Sequence, residues 1–120
     1  MGRSLLKARV TETLKTILAP GIHDNVVKTY TAHTGDAIVP GTIVVYDSGT
    51  IRNAVAGTDT TFLMIALDEQ ITTTDYVNNT INACVHGGVN IDMIFYAATP
   101  ATAITQAQED LLTASGIFAG

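Results

Sequence analysis

The sequence predicts a small, mainly β domain with a barrel-like or sandwich-like sheet, a short C-terminal helix and an extended N-terminal arm. Short apolar runs alternate with turn signals at close, even spacing between residues 35 and 89, as in all-β barrels and sandwiches. A helical pattern follows Pro100, and the beginning of the chain has its own charge balance. We therefore divide the chain into an arm over residues 1–30 and a β domain with its helix over residues 31–120.

Composition points to an ordered chain with much neutral surface. Of the 120 residues, 47% are hydrophobic and 14% are charged, against about 25% charged in average domains. Neutral surface of this kind is often covered by another chain. The apolar runs are too short for a membrane span or a signal peptide. The lone cysteine, Cys84, lies in an apolar run, so we expect a buried structural thiol in a chain made in a reducing compartment.

Charge is segregated along the sequence. Residues 1–28 hold five of the six basic residues, opposed there by two acids, whereas from residue 29 onward Arg52 faces nine acids. The basic leader is either a solvated tail or an arm that docks on an acidic partner. Nucleic acid is not expected as a partner, because the leader lacks interleaved aromatic residues and an acidic body repels phosphates.

The leader predicts two kinds of local structure. Apolar residues between residues 5 and 18 are roughly helically spaced, although threonines weaken the pattern, and Pro20-Gly21 ends it. This segment is either a marginal helix or an extended stretch that a partner orders. Residues 22–33 then predict an extended strand with mixed faces.

The body predicts a succession of strands. Turn signals at residues 34–36, 40–41, 47–49 and 57–59 separate apolar runs at residues 37–39, 42–46, 51–55 and 62–67. Residues 47–50 (DSGT) predict a hairpin connection. A Thr- and Asn-rich loop leads to a further run at residues 81–86, and a turn at Gly87-Gly88 precedes a short closing segment at residues 89–94.

A helix is predicted at about residues 105–115. Thr105 and Gln108 have capping-box spacing, and Glu109 and Asp110 lie early in the segment, where the helix dipole favours carboxylates. Gly116 fits the left-handed position after the helix, and Ile117 can fold back onto the last turn. We expect this helix to pack on the β body.

The sequence predicts no catalytic, cofactor or metal site. His23, His33 and His86 are scattered without metal-ligand spacing. Asp68 and Glu69 are adjacent, so in a continuing strand they point to opposite faces and cannot share a site. Phosphate-binding loops and nucleophile motifs are absent from the sequence. One enzyme alternative stays open: residues 88–92 (GVNID) loosely resemble the glycine–hydrophobic–Asp hairpin of trimeric dUTPases, without that family's sugar-recognising tyrosine or glycine-rich tail.

The order of elements from about Val39 to Gly120 resembles the head decoration proteins of tailed bacteriophages, of the lambda protein D type. The pieces that carry the resemblance are, in chain order, VPGTIV at residues 39–44, YDSGTI at 46–51, GTDTT at 57–61 before FLMIALDE at 62–69, VHGGVNID at 85–92, and LLTASGI at 111–117. Residues 1–33 match less well, and the leader is longer than a minimal arm of that family.

The resemblance implies a structural role without catalysis. Proteins of that family assemble as trimers on the outer surface of the expanded capsid, at local three-fold positions, and stabilise it against the pressure of packaged DNA. Their N-terminal arm reaches the coat protein. Carried onto this chain, the resemblance implies homotrimers, the major capsid protein as partner, no cofactor, no membrane, and a location on the outside of the virion after synthesis in the host cytoplasm. The coat-contact residues expected in the arm are Arg3, Lys7, Arg9, Lys15, Val26, Val27 and Lys28.

Two other functions remain open at the level of sequence. One is a different structural module of a virion, such as a fibre base, a tail-tube component or a trimeric adhesin domain. The other is a small trimeric nucleotide hydrolase, which the dUTPase-like segment would represent.

Overall fold

The computed structural model describes residues 17–19, 25–33, 36–72, 77–97 and 103–120. They form a six-stranded sheet, a two-stranded sheet and a helix packed against the larger sheet. The elements are β1 (Val26–Thr31), β2 (Ile43–Asp47), β3 (Thr50–Asn53), β4 (Leu63–Ala66), β5 (Ile71–Thr72), β6 (Val77–Asn78), β7 (Thr80–Val89), a 3₁₀ turn (Ile91–Met93), α1 (Gln106–Ala114) and β8 (Ile117–Ala119). The prediction of a mainly β domain is confirmed.

The larger sheet has the order β1-β7-β4-β2-β3, with antiparallel pairing along this path. At its centre, Ile65 and Ala66 of β4 pair with Cys84 and Ala83 of β7. The C-terminal strand β8 runs parallel to the last three residues of β7. The ten-residue strand β7 therefore joins the middle of the sheet, an edge strand and the C-terminus.

Alternation along the strands places apolar side chains on both faces of the sheet. One face packs against α1 and β8 and includes Ile43, Leu63 and Ile65 with Leu112 and Ile117. The opposite face has a second cluster, which contains Ala32, Ile38, Val44, Ile51, Met64, Ala66, Ile81 and Ala83. Both faces of the central strands are therefore buried, which explains why β4 is an unbroken apolar run with all four residues buried.

The two edge strands approach each other but do not close a barrel. Ala32, just after β1, forms a single parallel bridge with Ile51 of β3, and the amide of His33 donates to the Ile51 carbonyl at 2.7 Å. Closure of a barrel needs a continuous ladder around the ring, and one bridge does not supply it. Of the two predicted sheet forms, the structure has a strongly curled open sheet.

The hairpin predicted at residues 47–50 is present. Asp47 of β2 pairs with Thr50 of β3, and the two loop residues, Ser48 and Gly49, have φ angles of 51° and 95°. Positive φ at both loop positions matches the twist of the flanking strands in two-residue hairpins.

The predicted C-terminal helix is confirmed to within a residue at each end. The Thr105 side chain accepts a hydrogen bond from the Gln108 amide at 3.2 Å, and the Gln108 side chain accepts one from the Thr105 amide at 2.9 Å. Gly116 has a φ of 93°, and Ile117 is fully buried. The capping box and the left-handed glycine thus fix both ends of α1.

Three predicted strand segments differ from the structure. Residues 37–39 are irregular, because Ala37 has a φ of 49°, which breaks an extended run. The turn predicted at Gly87-Gly88 is absent, because β7 continues through both glycines and pairs there with β8. The closing segment contains a 3₁₀ turn, in which the Asn90 side chain caps the Asp92 amide. Phe62 precedes β4 with a φ of 56° and is not part of the strand.

The end of the leader packs on the body. Ile17 is 2% exposed and lies in the cluster beneath α1, and Leu18 bridges Val89 of β7. The Ala19 amide donates to the Gly88 carbonyl at 2.9 Å. A Cβ at Gly88 would collide with the Ala19 carbonyl oxygen. The sequence places residues 17–19 in the arm, whereas their contacts are those of a core segment. Residues 26–30 of the leader belong to β1 and pair with β7, in agreement with the predicted extended strand. Residues 1–16 and 20–24 lie outside the described residues.

We expect Gly88→Ala to lower the free energy of unfolding by about 1–3 kcal/mol, the usual cost of overpacking a close contact. Urea unfolding followed by circular dichroism measures it. Gly120→Ala is the matched control, because a Cβ there meets no atom within 4 Å. An unchanged midpoint for Gly88→Ala would show that residues 17–19 do not pack closely on β7.

Candidate functional site

A large apolar cavity opens at the end of the second cluster, close to the C-terminal end of α1. Its volume is about 600 Å³, within the range of small-molecule and peptide pockets. We call it the aromatic cavity; it is lined by Tyr30, Tyr46, Phe62, Leu63, Met64, Val85 and Ser115.

The strand pattern places the lining side chains. Three lining side chains point to the same face of the sheet as the second cluster: those of Tyr46 in β2, Met64 in β4 and Val85 in β7. Tyr30 of β1 faces Tyr46 across the opening, with ring centroids 6.1 Å apart and planes inclined by 59°. The cavity is therefore the outer end of the second cluster, where the curled sheet stays open.

Two aromatic side chains form the exposed rim. Phe62 is 76% exposed and Tyr46 is 51% exposed. Below them Met64 is 5% exposed, so the floor is buried. Behind the rim, the Ser115 hydroxyl accepts a hydrogen bond from the Leu63 amide at 3.2 Å and ties the end of α1 to β4. The described lining holds no carboxylate, amine or imidazole; its polar groups are the hydroxyls of Tyr30, Tyr46 and Ser115.

A group of charged side chains lies beside the β2–β3 hairpin. Arg52 donates two hydrogen bonds to the Asp59 carboxylate, at 2.8 and 2.9 Å, and a third to Asp47 at 2.9 Å. Asp59 also accepts from the Val55 amide at 2.7 Å. These contacts hold the pKa of both carboxyl groups below their ordinary range, chiefly through the guanidinium hydrogen bonds. The arrangement fixes the loop after β3 and neutralises the only base after residue 28.

A buried amide joins three segments next to the β1–β3 bridge. Gln70 is 6% exposed; its side-chain oxygen accepts from the Ile38 amide at 3.3 Å, and its nitrogen donates to the His33 carbonyl at 3.1 Å and to Asn79 at 3.3 Å. Nearby, the Asp36 carboxylate accepts from the Asn53 amide at 2.7 Å. These polar residues satisfy loop backbone, which is a structural role.

The acidic residues and the cysteine considered as catalytic or metal-binding candidates do not form a common site. The Asp68 carboxylate accepts from the Asn82 amide at 2.8 Å, while Glu69 is exposed. Cys84 is fully buried, and burial raises the pKa of its thiol, so the predicted structural thiol is confirmed. Within the described ranges, no three His, Cys, Asp or Glu side chains come together in a group that could hold a metal ion. The dUTPase-like segment forms the end of β7 and a 3₁₀ turn instead of a hairpin.

The predicted coat-contact residues fall into two groups. Arg3, Lys7, Arg9 and Lys15 lie outside the described residues. Val26, Val27 and Lys28 belong to β1, where they pair with β7 and are exposed; the two valines are each 44% exposed. Among the described strands, β1 ends the sheet path, and none of them pairs with its outer backbone edge along this stretch.

Sequence reasoning missed the aromatic cavity. The run at residues 62–67 predicted a strand that begins with Phe62, without an exposed ring. Tyr46, at the end of its strand and on the same parity as Val44, was the available signal for an apolar face that extends beyond the core.

No family model matches this chain, and no curated protein matches it. In the described part of the chain, no helix combines the length and apolarity needed to cross a bilayer.

Removal of the Asp59 carboxylate tests the hairpin arrangement. At neutral pH we expect Asp59→Asn to lower the urea midpoint, because Arg52 loses its two-pronged partner and the Val55 amide its charged acceptor. The folded state lowers the pKa of Asp59, so this stabilisation is present above the ordinary value of 3.8 and is lost as pH falls through the folded-state value.

The measurement is the urea midpoint of both proteins between about pH 7 and pH 2.5. Asp47→Asn is the control, since Asp47 is half exposed and makes one contact with Arg52, and its effect should be smaller. If the difference in urea midpoint between the wild type and Asp59→Asn stays the same at about pH 2.5, the stabilisation does not come from the ionised Asp59 carboxylate.

Proposed function

We propose that this chain is a capsid decoration protein of tailed bacteriophages. It binds the outside of the expanded head as homotrimers at local three-fold positions and stabilises the shell against internal DNA pressure. Its partners in this proposal are the major capsid protein and further copies of itself. It is made in the host cytoplasm, acts on the virion surface, uses no cofactor and has no enzymatic activity.

The observation that carries the proposal is the aromatic cavity on a compact β body of low charge. A contiguous apolar opening with exposed aromatic rims is typical of protein–protein contact surfaces. Three polar side chains, those of Gln70, Asp36 and Asp68, accept hydrogen bonds from backbone amides, and Asp59 is bound by Arg52. An exposed apolar surface without a recognisable catalytic group favours a role in assembly. The resemblance of residues Val39 to Gly120 to head decoration proteins indicates that the assembly is a phage capsid.

The exposed edge of β1 supports a role for the arm in binding the shell. An extended segment of a coat protein can add a strand to an open sheet edge, with main-chain hydrogen bonds that demand little of its sequence. The valines on β1 add apolar contact, and the bases that precede them would pair with an acidic coat surface. Three weak contacts per trimer gain avidity when they engage the shell together.

The direct test is reassembly on undecorated, expanded capsids. We expect the purified protein to add density at three-fold or quasi-three-fold positions, seen by electron microscopy. Density at a fibre base or along a tail tube would favour another virion module. Absence of binding to the shell, or turnover of a nucleotide, would overturn the proposal.

Deletion of residues 1–16 separates the leader from the body more cleanly than a longer truncation, because it spares Ile17 and its contacts with β7. We expect capsid binding to fall at least tenfold while the urea midpoint stays unchanged, measured by co-sedimentation and circular dichroism. A further cut through residue 20 removes the buried Ile17 side chain and should cost about 2–4 kcal/mol of stability. Unchanged capsid affinity after the shorter deletion would exclude the leader as the anchor.

A full-length variant with Arg3, Lys7, Arg9 and Lys15 changed to Gln is the matched control for charge. Exposed ion pairs contribute about 0.2–1 kcal/mol each, so binding should weaken and lose most of its dependence on salt. Wild-type binding that does not change with ionic strength would argue against an acidic coat patch.

A further inference from the structure

We propose that the aromatic cavity of one copy receives Phe62 of a neighbouring copy. This inference names the self-contact of the proposed trimer and rests on the proposed function for its three-fold arrangement. The chain then carries both halves of its own interface, a projecting phenyl ring and the opening that accepts one.

Phe62 is unusual both in exposure and in backbone conformation. A phenylalanine 76% exposed leaves most of its apolar surface in water. Its φ of 56° lies in the left-handed region, where a bulky side chain is an outlier. Strained positions of this kind concentrate at contact and switch sites. The conformation projects the ring from the turn before β4 instead of folding it into the strand.

The cavity has the size and lining to accept such a ring. About 600 Å³ exceeds the volume of one aromatic side chain, so the ring of a second copy fits beside the resident Phe62. Tyr30 and Tyr46 offer tilted aromatic faces for edge-to-face packing. The thioether of Met64 lies in the floor, and sulfur packs favourably against ring edges.

The neutral lining of the aromatic cavity permits a second copy to bind and disfavours a charged partner. The body is acidic, so two copies repel one another wherever carboxylates face each other. The described lining of the aromatic cavity is neutral, and the carboxylates of Asp47 and Asp59 on the neighbouring hairpin are bound by Arg52. Two copies can therefore meet at this surface, whereas a basic or acidic peptide finds no complementary group in it.

In the proposed trimer the contact repeats around the three-fold axis. Each copy then gives one phenyl ring and receives one, and the heterologous contacts of the three copies close. The strongly exposed ring, the strained backbone and the apolar opening are explained by one contact.

Sedimentation over a range of protein concentrations tests the inference. We expect the wild type to form trimers and Phe62→Asp to raise the concentration needed for association at least tenfold. Val55→Asp is the matched control: Val55 is 54% exposed, does not line the aromatic cavity, and receives the same added charge. A wild type that stays monomeric at every concentration, or equal weakening by both variants, would overturn the inference.

Folding does not confound this comparison. Asp and Asn tolerate positive φ better than Phe, and an exposed ring contributes little to the monomer core, so the urea midpoints of Phe62→Asp and Phe62→Asn should match the wild type or exceed it. Phe62→Asn repeats the loss of association without added charge. Association by Phe62→Asn at wild-type concentrations would contradict the role of the ring.

An apolar fluorescent probe, anilinonaphthalene sulfonate, distinguishes a self-contact from a site for small apolar ligands. We expect the probe to bind monomers and to be released as trimers form. Probe that stays bound to the trimer would mean an open cavity and would overturn the self-contact. Capsid-binding assays separate the two proposals. If Phe62→Asp still associates and still decorates capsids, only the self-contact is wrong. If the wild type forms trimers that do not bind capsids, only the decoration role is wrong.

Discussion

The backbone ladder of β7 is the interaction on which the rest of the structure depends. Its first half pairs with β1 on one side and with β4 on the other, and its last three residues pair with β8. The end of the leader also bridges it at Val89. Segments from the beginning, middle and end of the chain are thus held by one strand, and all of these pairings span long sequence separations. Since loop-closure entropy must be overcome before such pairings form, the fold relies on the two apolar clusters to make the ladder stable.

Burial of both sheet faces follows from this arrangement and explains the distribution of functional groups. The face beneath α1 closes completely with Leu112 and Ile117, while the opposite face closes at the β1–β3 bridge and stays open at the aromatic cavity. Two polar residues of the loops, Gln70 and Asp36, satisfy backbone groups. The exposed apolar opening is the feature that this structural role does not explain.

Three local features were predicted correctly from the sequence. The capping box of Thr105 and Gln108, the left-handed Gly116 and the hairpin at Ser48-Gly49 all depend on residues a few positions apart. Strand order and the packing of Ile17 depend on contacts between residues far apart in the sequence, which no local pattern encodes. The site was missed for the same reason: Phe62 begins an apolar run that predicts a strand, and the turn that ejects its ring is visible only in the folded chain.

The end of the leader and most strand residues of the aromatic cavity lie on different faces of the sheet. The end of the leader, at Ile17 and Leu18, belongs to the cluster beneath α1, whereas Tyr30 and Val85 of the aromatic cavity pack against the second cluster. A leader that leaves the body on one face can reach a shell while the other face meets neighbouring copies. The exposed edge of β1 lies between these faces, so strand addition there blocks neither. Attachment and self-association are then physically separable, and loss of one by mutation leaves the surface that serves the other intact.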